Sequence, residues 1–95
     1  MIYEWDPRKA KSNLRKHRVS FEEAASVFLD PLAVTYPDPD HSGDEFREIT
    51  VGHSARGRVV FLSHTPRGDR IRIIGARKAN SKERKQYEEG LGETR

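Results

Sequence analysis

The 95-residue sequence contains no cysteine, so disulfides and thiolate metal sites are excluded and folding depends on no particular redox compartment. It also lacks an apolar run long enough for a signal peptide or a membrane span, which predicts a cytoplasmic protein. Hydrophobic residues make up only 34% of the chain and charged residues 35%. The core must therefore be small, although the periodic placing of aromatic, Ile and Val residues still predicts a folded chain.

The length of the chain suits one small domain, residues 1–95, because so short a chain has little room for a second core. Hydrophobic spacing predicts two helices and a first strand in residues 1–36, an antiparallel meander in 46–77 and a closing helix in 80–89. The predicted fold class is therefore α+β, with an antiparallel sheet of about four strands, two N-terminal helices and one C-terminal helix.

Two helix starts are visible near the N-terminus. Asp6 precedes a proline, and its carboxylate can accept the first free amides of a helix over residues 7–17. Ser20 is followed three residues later by Glu23, which is the spacing of a capping box for a second helix that ends at Asp30. The apolar positions at helical spacing are Ala10, Leu14 and His17 in the first helix, and Phe21, Ala24, Ala25 and Phe28 in the second.

Residue alternation predicts four strands, over residues 32–36, 46–53, 58–65 and 69–77, and residues 2–5 are a further candidate for a short edge strand. The connections between the last three strands are short and contain glycine, so these strands should form consecutive hairpins. In the last strand the adjacent Ile73 and Ile74 predict a strand end covered on both faces. Gly90 and Gly92 predict a frayed tail after the closing helix.

The segment 37–44 is rich in turn-forming residues and predicts a surface loop. Its acidic residues and histidine resemble a metal-ligand set at first glance, but their spacing fits no calcium loop. A solvated turn is therefore favoured over a metal site, and no metal or other cofactor is predicted. The residues in question are Asp38, Asp40, His41 and Asp44.

The net charge of +3 hides a strong segregation along the chain. Residues 8–18 hold six basic residues and no acid, residues 20–48 hold eight acids and one base, and residues 67–85 hold eight bases and two acids. Such segregation predicts a basic face suited to nucleic acid and an acidic face suited to a basic partner. The alternative is a charge-rich surface that only keeps a small domain soluble.

The last strand and the closing helix concentrate groups that can bind phosphate. Arg70 and Arg72 share one strand face about 7 Å apart, close to the repeat of a nucleic-acid backbone. Arginine suits this task because its planar fork binds phosphate at two points. The alternative for each cation is an ion pair with Glu45, Glu48 or Asp69. The predicted RNA-binding residues are Arg56, Arg58, Arg70, Lys78 and Arg84.

RNA cleavage through the 2′-hydroxyl requires a base, a cation for the developing charge on the phosphate, and an acid for the leaving oxygen. Candidates for proton transfer are Glu83, Tyr87, His53 and His64, and candidates for the cation are Arg70, Arg72 and Arg77. Two alternatives stay open. Glu83 stands three residues after Asn80, where it would cap the closing helix, and lone histidines on strands are more often structural.

Several segments, spread in order over nearly the whole chain, carry a family resemblance. They are EWDPRKA (4–10), NLRKH (13–17), VSFEEA (19–24), DPL (30–32), DHS (40–42), Glu45, Arg47, Gly52, RIRII (70–74), ARKA (76–79), ER (83–84) and YE (87–88). The chain resembles the BrnT toxins of bacterial type II toxin–antitoxin pairs. It departs from that pattern at Gly75, where serine is expected, and at Arg18, where glycine is expected and a left-handed turn would have to carry a side chain.

The resemblance implies a RelE-like fold and a metal-independent ribonuclease that arrests translation. It also implies neutralisation by a BrnA-type antitoxin, whose ribbon-helix-helix domain binds operator DNA. On this hypothesis the arginines hold RNA phosphates, and Glu83 or Tyr87 transfers protons. The predicted catalytic residues are Arg72, Arg77, Glu83 and Tyr87. The alternative is a non-enzymatic nucleic-acid-binding module, or an inactive toxin that acts as co-repressor with its antitoxin.

Overall fold

The computed structural model of the protein describes residues 1–38, 40 and 45–93. Short connections join most of the helices and strands. In chain order the elements are β1 (Ile2–Glu4), α1 (Pro7–His17), α2 (Phe21–Ser26) extended by a 3-10 turn (Val27–Leu29), β2 (Val34–Pro37), β3 (Glu48–His53), β4 (Val59–Arg67), β5 (Arg70–Lys78) and α3 (Ser81–Glu93).

The strands form one sheet in the order β1-β5-β4-β3-β2. β3, β4 and β5 are consecutive antiparallel hairpins, as predicted, and the glycines of their connections, Gly57 and Gly68, adopt positive φ. The α+β class is confirmed, but a purely antiparallel sheet of about four strands is wrong, because β1 is a fifth strand that pairs with β5 in parallel. β1 has only three residues, and its partner lies nearly seventy residues away in the sequence.

One face of the sheet carries the larger core under α1 and α2. Phe21, Val27, Leu62 and Ile73 are fully buried there. The apolar face predicted for the second helix therefore lies on the sheet. In the first helix the prediction is wrong for Leu14, which is 48% exposed. The inward position is taken by a polar residue one place earlier, Asn13, whose amide hydrogen-bonds to β5.

The opposite face of the sheet is covered only in part, by α3. Tyr87 packs there on Ile49, Val51 and Val59. The helix runs through Gly90 to Glu93, so the frayed tail predicted after residue 89 is wrong. Within the described part of the chain, no helix combines the length and the apolar character needed to cross a bilayer. The rest of this sheet face is open, and the basic residues of β5 lie on it.

A β-bulge in β5 decides which side chains reach this open face. The pairing of β4 with β5 shifts between Ser63 and His64, so that Ile74 has no partner across the ladder. The adjacent isoleucines therefore reflect a bulge, and not a strand end covered on both faces. Because the extra residue resets the alternation, Arg72 and Arg77 lie on the same face although they are five positions apart.

Candidate active site and nucleic-acid interface

Arg77, on the open face, is held in place by a carboxylate and by an aromatic ring. Its two terminal nitrogens donate to the two carboxylate oxygens of Glu83, with Nη1–Oε1 at 2.8 Å and Nη2–Oε2 at 2.9 Å. The guanidinium also lies over the ring of Phe61, 4.0 Å from its centroid. The hydrogen bonds between the two groups lower the pKa of Glu83 and raise the pKa of Arg77, so both are charged at neutral pH.

Local structure fixes both members of this pair. Arg77 is directly opposite Phe61 in the β4–β5 ladder, which places the cation on the ring. Glu83 completes a reciprocal capping box at the start of α3, because its amide donates to Asn80 Oδ1 at 2.8 Å and its Oε1 accepts from the Asn80 amide at 2.9 Å. The capping role predicted for Glu83 is therefore confirmed, and the same carboxylate also holds Arg77.

Two adjoining hollows open beside Arg77, Phe61 and Ser63, and we call them together the Arg77 cleft. The larger has a volume of about 390 Å³ and the smaller about 200 Å³. Burial and the charge of Glu83 raise the pKa of Tyr36 at the edge of the larger hollow. The larger is also lined by Tyr36, Asp38, Asp40, Arg47 and Ile49, and the smaller by Asn13, His17, Gly75 and Ala76.

Arg70 and Arg72 share the face of Arg77 but lie beside a different carboxylate. Arg72 Nη1 is 2.9 Å from Glu4 Oε2, and Arg70 Nη1 is 3.7 Å from Glu4 Oε1. The partner is thus a β1 residue and not one of the acids expected from the sequence. Because β1 pairs with β5 in register at Glu4 and Arg72, the parallel edge strand supplies this carboxylate.

Arg58 is held by a buried carboxylate on the other side of the sheet. The side chain of Glu23 is 4% exposed, and it accepts from Arg58 Nε at 2.9 Å, from Arg58 Nη2 and from Ser54 Oγ at 2.7 Å. The hydrogen bonds from Arg58 are the main cause of the lowered pKa of Glu23. Arg56 is 70% exposed and only approaches the same carboxylate, at 3.9 Å.

This arrangement changes the expected capping box of α2. The Glu23 amide donates to Ser20 Oγ at 3.0 Å, as predicted, but the Glu23 carboxylate faces Arg58. Arg58 also borders a polar hollow of about 380 Å³ with Lys78 and Arg84. Arg84 lines this hollow, whereas the neighbouring Glu83 contacts Arg77, so the predicted RNA-binding residues are divided between two hollows.

Tyr87 belongs to a separate hydrogen-bond network under α3. Its hydroxyl donates to Asp30 Oδ2 at 2.5 Å and lies 3.1 Å from His53 Nδ1, and the His53 amide donates to the same Asp30 oxygen at 2.8 Å. Burial and the Asp30 carboxylate raise the pKa of Tyr87 to about 12. Tyr87 is 4% exposed. Its contacts with Asp30 and His53 connect α3 to the end of β3.

His64 is a core residue. Its Nε2 lies 2.7 Å from Thr50 Oγ1, Phe28 packs edge-on against its ring, and burial lowers its pKa to about 4. Of the metal-like set in the loop, His41 and Asp44 lie outside the described residues. Among the residues that are described, no three or more His, Asp or Glu side chains converge as metal ligands do.

The structure also brings to the Arg77 cleft four residues that the sequence did not mark as functional: His17, Tyr36, Arg47 and Ser63. Helical spacing assigned His17 to an apolar face. The ladder could have identified Ser63, because it alternates with Phe61 on β4 and pairs with Gly75, two residues before Arg77. Gly75 leaves room there, since an added Cβ would have its nearest neighbour at 3.9 Å, in Asn13.

A small sheet with helices on both faces and an arginine-centred cleft defines a protein suited to binding a phosphate backbone. The family model described as the ribonuclease toxin BrnT of type II toxin–antitoxin systems matches residues 5–83. The chain therefore belongs to the BrnT family of type II toxins, which confirms the resemblance seen in the sequence.

A solved structure agrees with this assignment at the level of the fold. The Brucella abortus ribonuclease toxin BrnT, known from a crystal structure at 1.1 Å, is similar to 85% of this chain over 100% of its own length, with a TM-score of 0.68 and 21% sequence identity. No curated protein sequence matches the chain.

Proposed function

We propose that this protein is a metal-independent ribonuclease that cleaves RNA in the cytoplasm and so inhibits translation. Membership of the BrnT family supports a ribonuclease toxin in general. The observation that carries the proposal is the Arg77–Glu83 pair, in which an ionised carboxylate is hydrogen-bonded to a guanidinium that lines an open cleft. These are a phosphate-binding cation and a proton acceptor within reach of one RNA linkage.

In the free protein Glu83 occupies the fork of Arg77 as a phosphate would. A phosphodiester that enters the cleft competes for the fork, because two of its oxygens match the spacing of the guanidinium donors. The Glu83 carboxylate then loses its strongest partner and becomes more basic. In this proposal Glu83 takes the proton of the 2′-hydroxyl, while Arg77 stabilises the charge that develops on the phosphate.

The other predicted residues have supporting roles in this proposal. Arg70 and Arg72 contact phosphates that flank the cleaved linkage, since they continue the face of Arg77 along β5. Tyr87 positions α3, and with it Glu83, through Asp30. Further contacts with the phosphate backbone of the RNA come from four basic residues around the β3–β4 hairpin and the polar hollow beside α3: Arg56, Arg58, Lys78 and Arg84.

A type II toxin has a protein antitoxin as its partner, and we propose a BrnA-type antitoxin with a ribbon-helix-helix domain. Covering the Arg77 cleft would prevent RNA from reaching Arg77 and Glu83. Operator DNA would then be contacted through the antitoxin and not by this chain. The pair would thereby repress its own operon.

Expression of the chain in bacteria without a partner tests the proposal. We expect growth arrest and loss of protein synthesis in a cell-free extract, and both effects should disappear in Arg77→Ala. Arg67→Ala is the matched control, because Arg67 is an exposed β4 arginine paired with Glu45 at 3.1 Å. Arrest by Arg77→Ala at the wild-type level would refute the role of the cleft.

One observation favours a second candidate, a nucleic-acid-binding module without catalysis. Both predicted proton-transfer groups are engaged, Glu83 by Arg77 and Asn80, and Tyr87 by Asp30. Under this alternative RNA binds and Glu83 never leaves Arg77. Purified protein that shifts RNA in a gel without shortening it, and leaves growth unaffected, would decide for the binding module.

A further inference from the structure

The imidazole of His17 lines the Arg77 cleft, but it has no role in the reaction proposed above. His17 is the last residue of α1, is half-buried, and lines the smaller hollow together with Ser63 and Arg77. Among the described residues its ring has no hydrogen-bond or ion-pair partner. A half-buried imidazole with both nitrogens available is equipped to exchange a proton with a ligand.

The end of α1 is held firmly beside β5. Asn13, one turn before His17, donates to the Ala76 carbonyl at 2.8 Å and to the Val19 carbonyl at 2.9 Å, and it accepts from the Ala76 amide at 3.1 Å. The Asn13 side chain thus hydrogen-bonds to both backbone groups of Ala76, the residue before Arg77 in β5. The helix ends directly after His17, where Arg18 turns left-handed and its amide donates to Leu14.

We propose that His17 is a further catalytic residue, the acid that protonates the leaving 5′-oxygen during RNA cleavage. This role rests on the proposed ribonuclease function. The 2′-oxygen forms a bond to phosphorus, its proton passes to Glu83, and the bond from phosphorus to the 5′-oxygen breaks. The His17 imidazolium gives its proton to that 5′-oxygen, so the products are a 2′,3′-cyclic phosphate and a free 5′-hydroxyl.

The positions of the two groups suit the geometry of this displacement. The attacking and leaving oxygens stand on opposite sides of the phosphorus, so the base and the acid must approach from different directions. Glu83 contacts Arg77 from α3, whereas His17 faces the cleft from α1. A phosphate bound by Arg77 would therefore have a proton acceptor and a proton donor on separate elements.

The test compares two RNA oligonucleotides that contain a linkage cut by the wild-type protein. In one the bridging 5′-atom is oxygen, and in the other it is sulfur, which leaves without protonation. We expect His17→Gln to slow cleavage of the oxygen substrate by about 10²-fold or more. On the sulfur substrate its rate should be close to wild type, whereas Arg77→Ala should be slow on both.

Two further variants control for charge and for folding. His17→Lys keeps a cation in the hollow but is a poor proton donor at neutral pH, so it should behave like His17→Gln. Lys16→Gln alters the exposed neighbour on the same helical turn and should cleave both substrates within about twofold of wild type.

The possible outcomes separate the two proposals. His17→Gln that cleaves the oxygen substrate at the wild-type rate, or that stays slow on the sulfur substrate, overturns the role of His17 and leaves the ribonuclease in place. Wild-type protein that cleaves no RNA overturns the proposed function itself. Circular dichroism of each variant confirms that the comparison is made between folded proteins.

Discussion

Removing the guanidinium of Arg58 should destabilise the fold, because a buried carboxylate then loses its main partner. The substitution Arg58→Ala leaves Glu23 buried with Ser54 as its nearest donor and also removes the donor to the Arg18 carbonyl. Breaking a buried ion pair from one side costs about 3–5 kcal/mol. Because the Arg58 side chain is 25% exposed, water replaces part of the interaction, and we expect a loss of about 2–3 kcal/mol.

Urea unfolding followed by circular dichroism measures this loss. With a slope typical of a small domain, the midpoint should fall by about 1–2 M urea. Arg56→Ala is the matched control, since Arg56 is 70% exposed and 3.9 Å from the same carboxylate, and its midpoint should change little. An unchanged midpoint in Arg58→Ala would refute the structural role of the pair and leave Arg58 free to act in RNA binding alone.

The same pair predicts a dependence of stability on pH. Because the pKa of Glu23 is lowered in the folded protein, its contribution is present above the unfolded pKa and is lost as the pH falls through the folded value. The Arg58→Ala variant should therefore lose less stability than the wild type when the solution is acidified. Unfolding midpoints at neutral and acid pH test this, and parallel losses in the two proteins would contradict it.

Three further outcomes are expected from the fold. Gly52→Ala should lower the free energy of unfolding by about 1–3 kcal/mol in thermal or urea unfolding, because the new Cβ would lie 2.8 Å from Ala33 Cβ; full stability would contradict this close contact. Arg18→Gly should raise the free energy of unfolding by about 1 kcal/mol, because Arg18 has φ 61° and glycine adopts this conformation without strain. A lower urea midpoint than the wild type would contradict this. The wild type should lose stability as the pH falls from 6.5 to about 4, because His64 is protonated in the unfolded chain over this range but stays neutral where it is buried in the folded protein. His64→Gln should lack this part of the dependence of stability on pH.

Local features of this fold were predictable because each depends on a few neighbouring residues. The cap at Asp6 and the reciprocal box of Asn80 with Glu83 formed as their spacing predicts. The left-handed turn expected at Arg18 is present. All of these depend on contacts within a few residues, and the sequence displays such contacts directly.

Features that depend on distant pairing were not predictable from local pattern. Arg72 pairs with Glu4 and Arg58 pairs with Glu23, and in each pair the two residues are far apart in the sequence. Helical spacing favoured Leu14 as the inward residue of α1, yet Asn13 turns inward because the open edge of β5 offers its amide two hydrogen bonds. The position of His17 beside Arg77 follows from that docking.

The most direct test of the central claim is cleavage of RNA by purified protein in a buffer that contains a metal chelator. We predict that the wild type produces fragments with 2′,3′-cyclic phosphate ends, and that Arg77→Ala reduces the rate by about 10²-fold or more. Cleavage that required added divalent metal, or Arg77→Ala that cut RNA as fast as the wild type, would contradict a metal-independent reaction centred on Arg77.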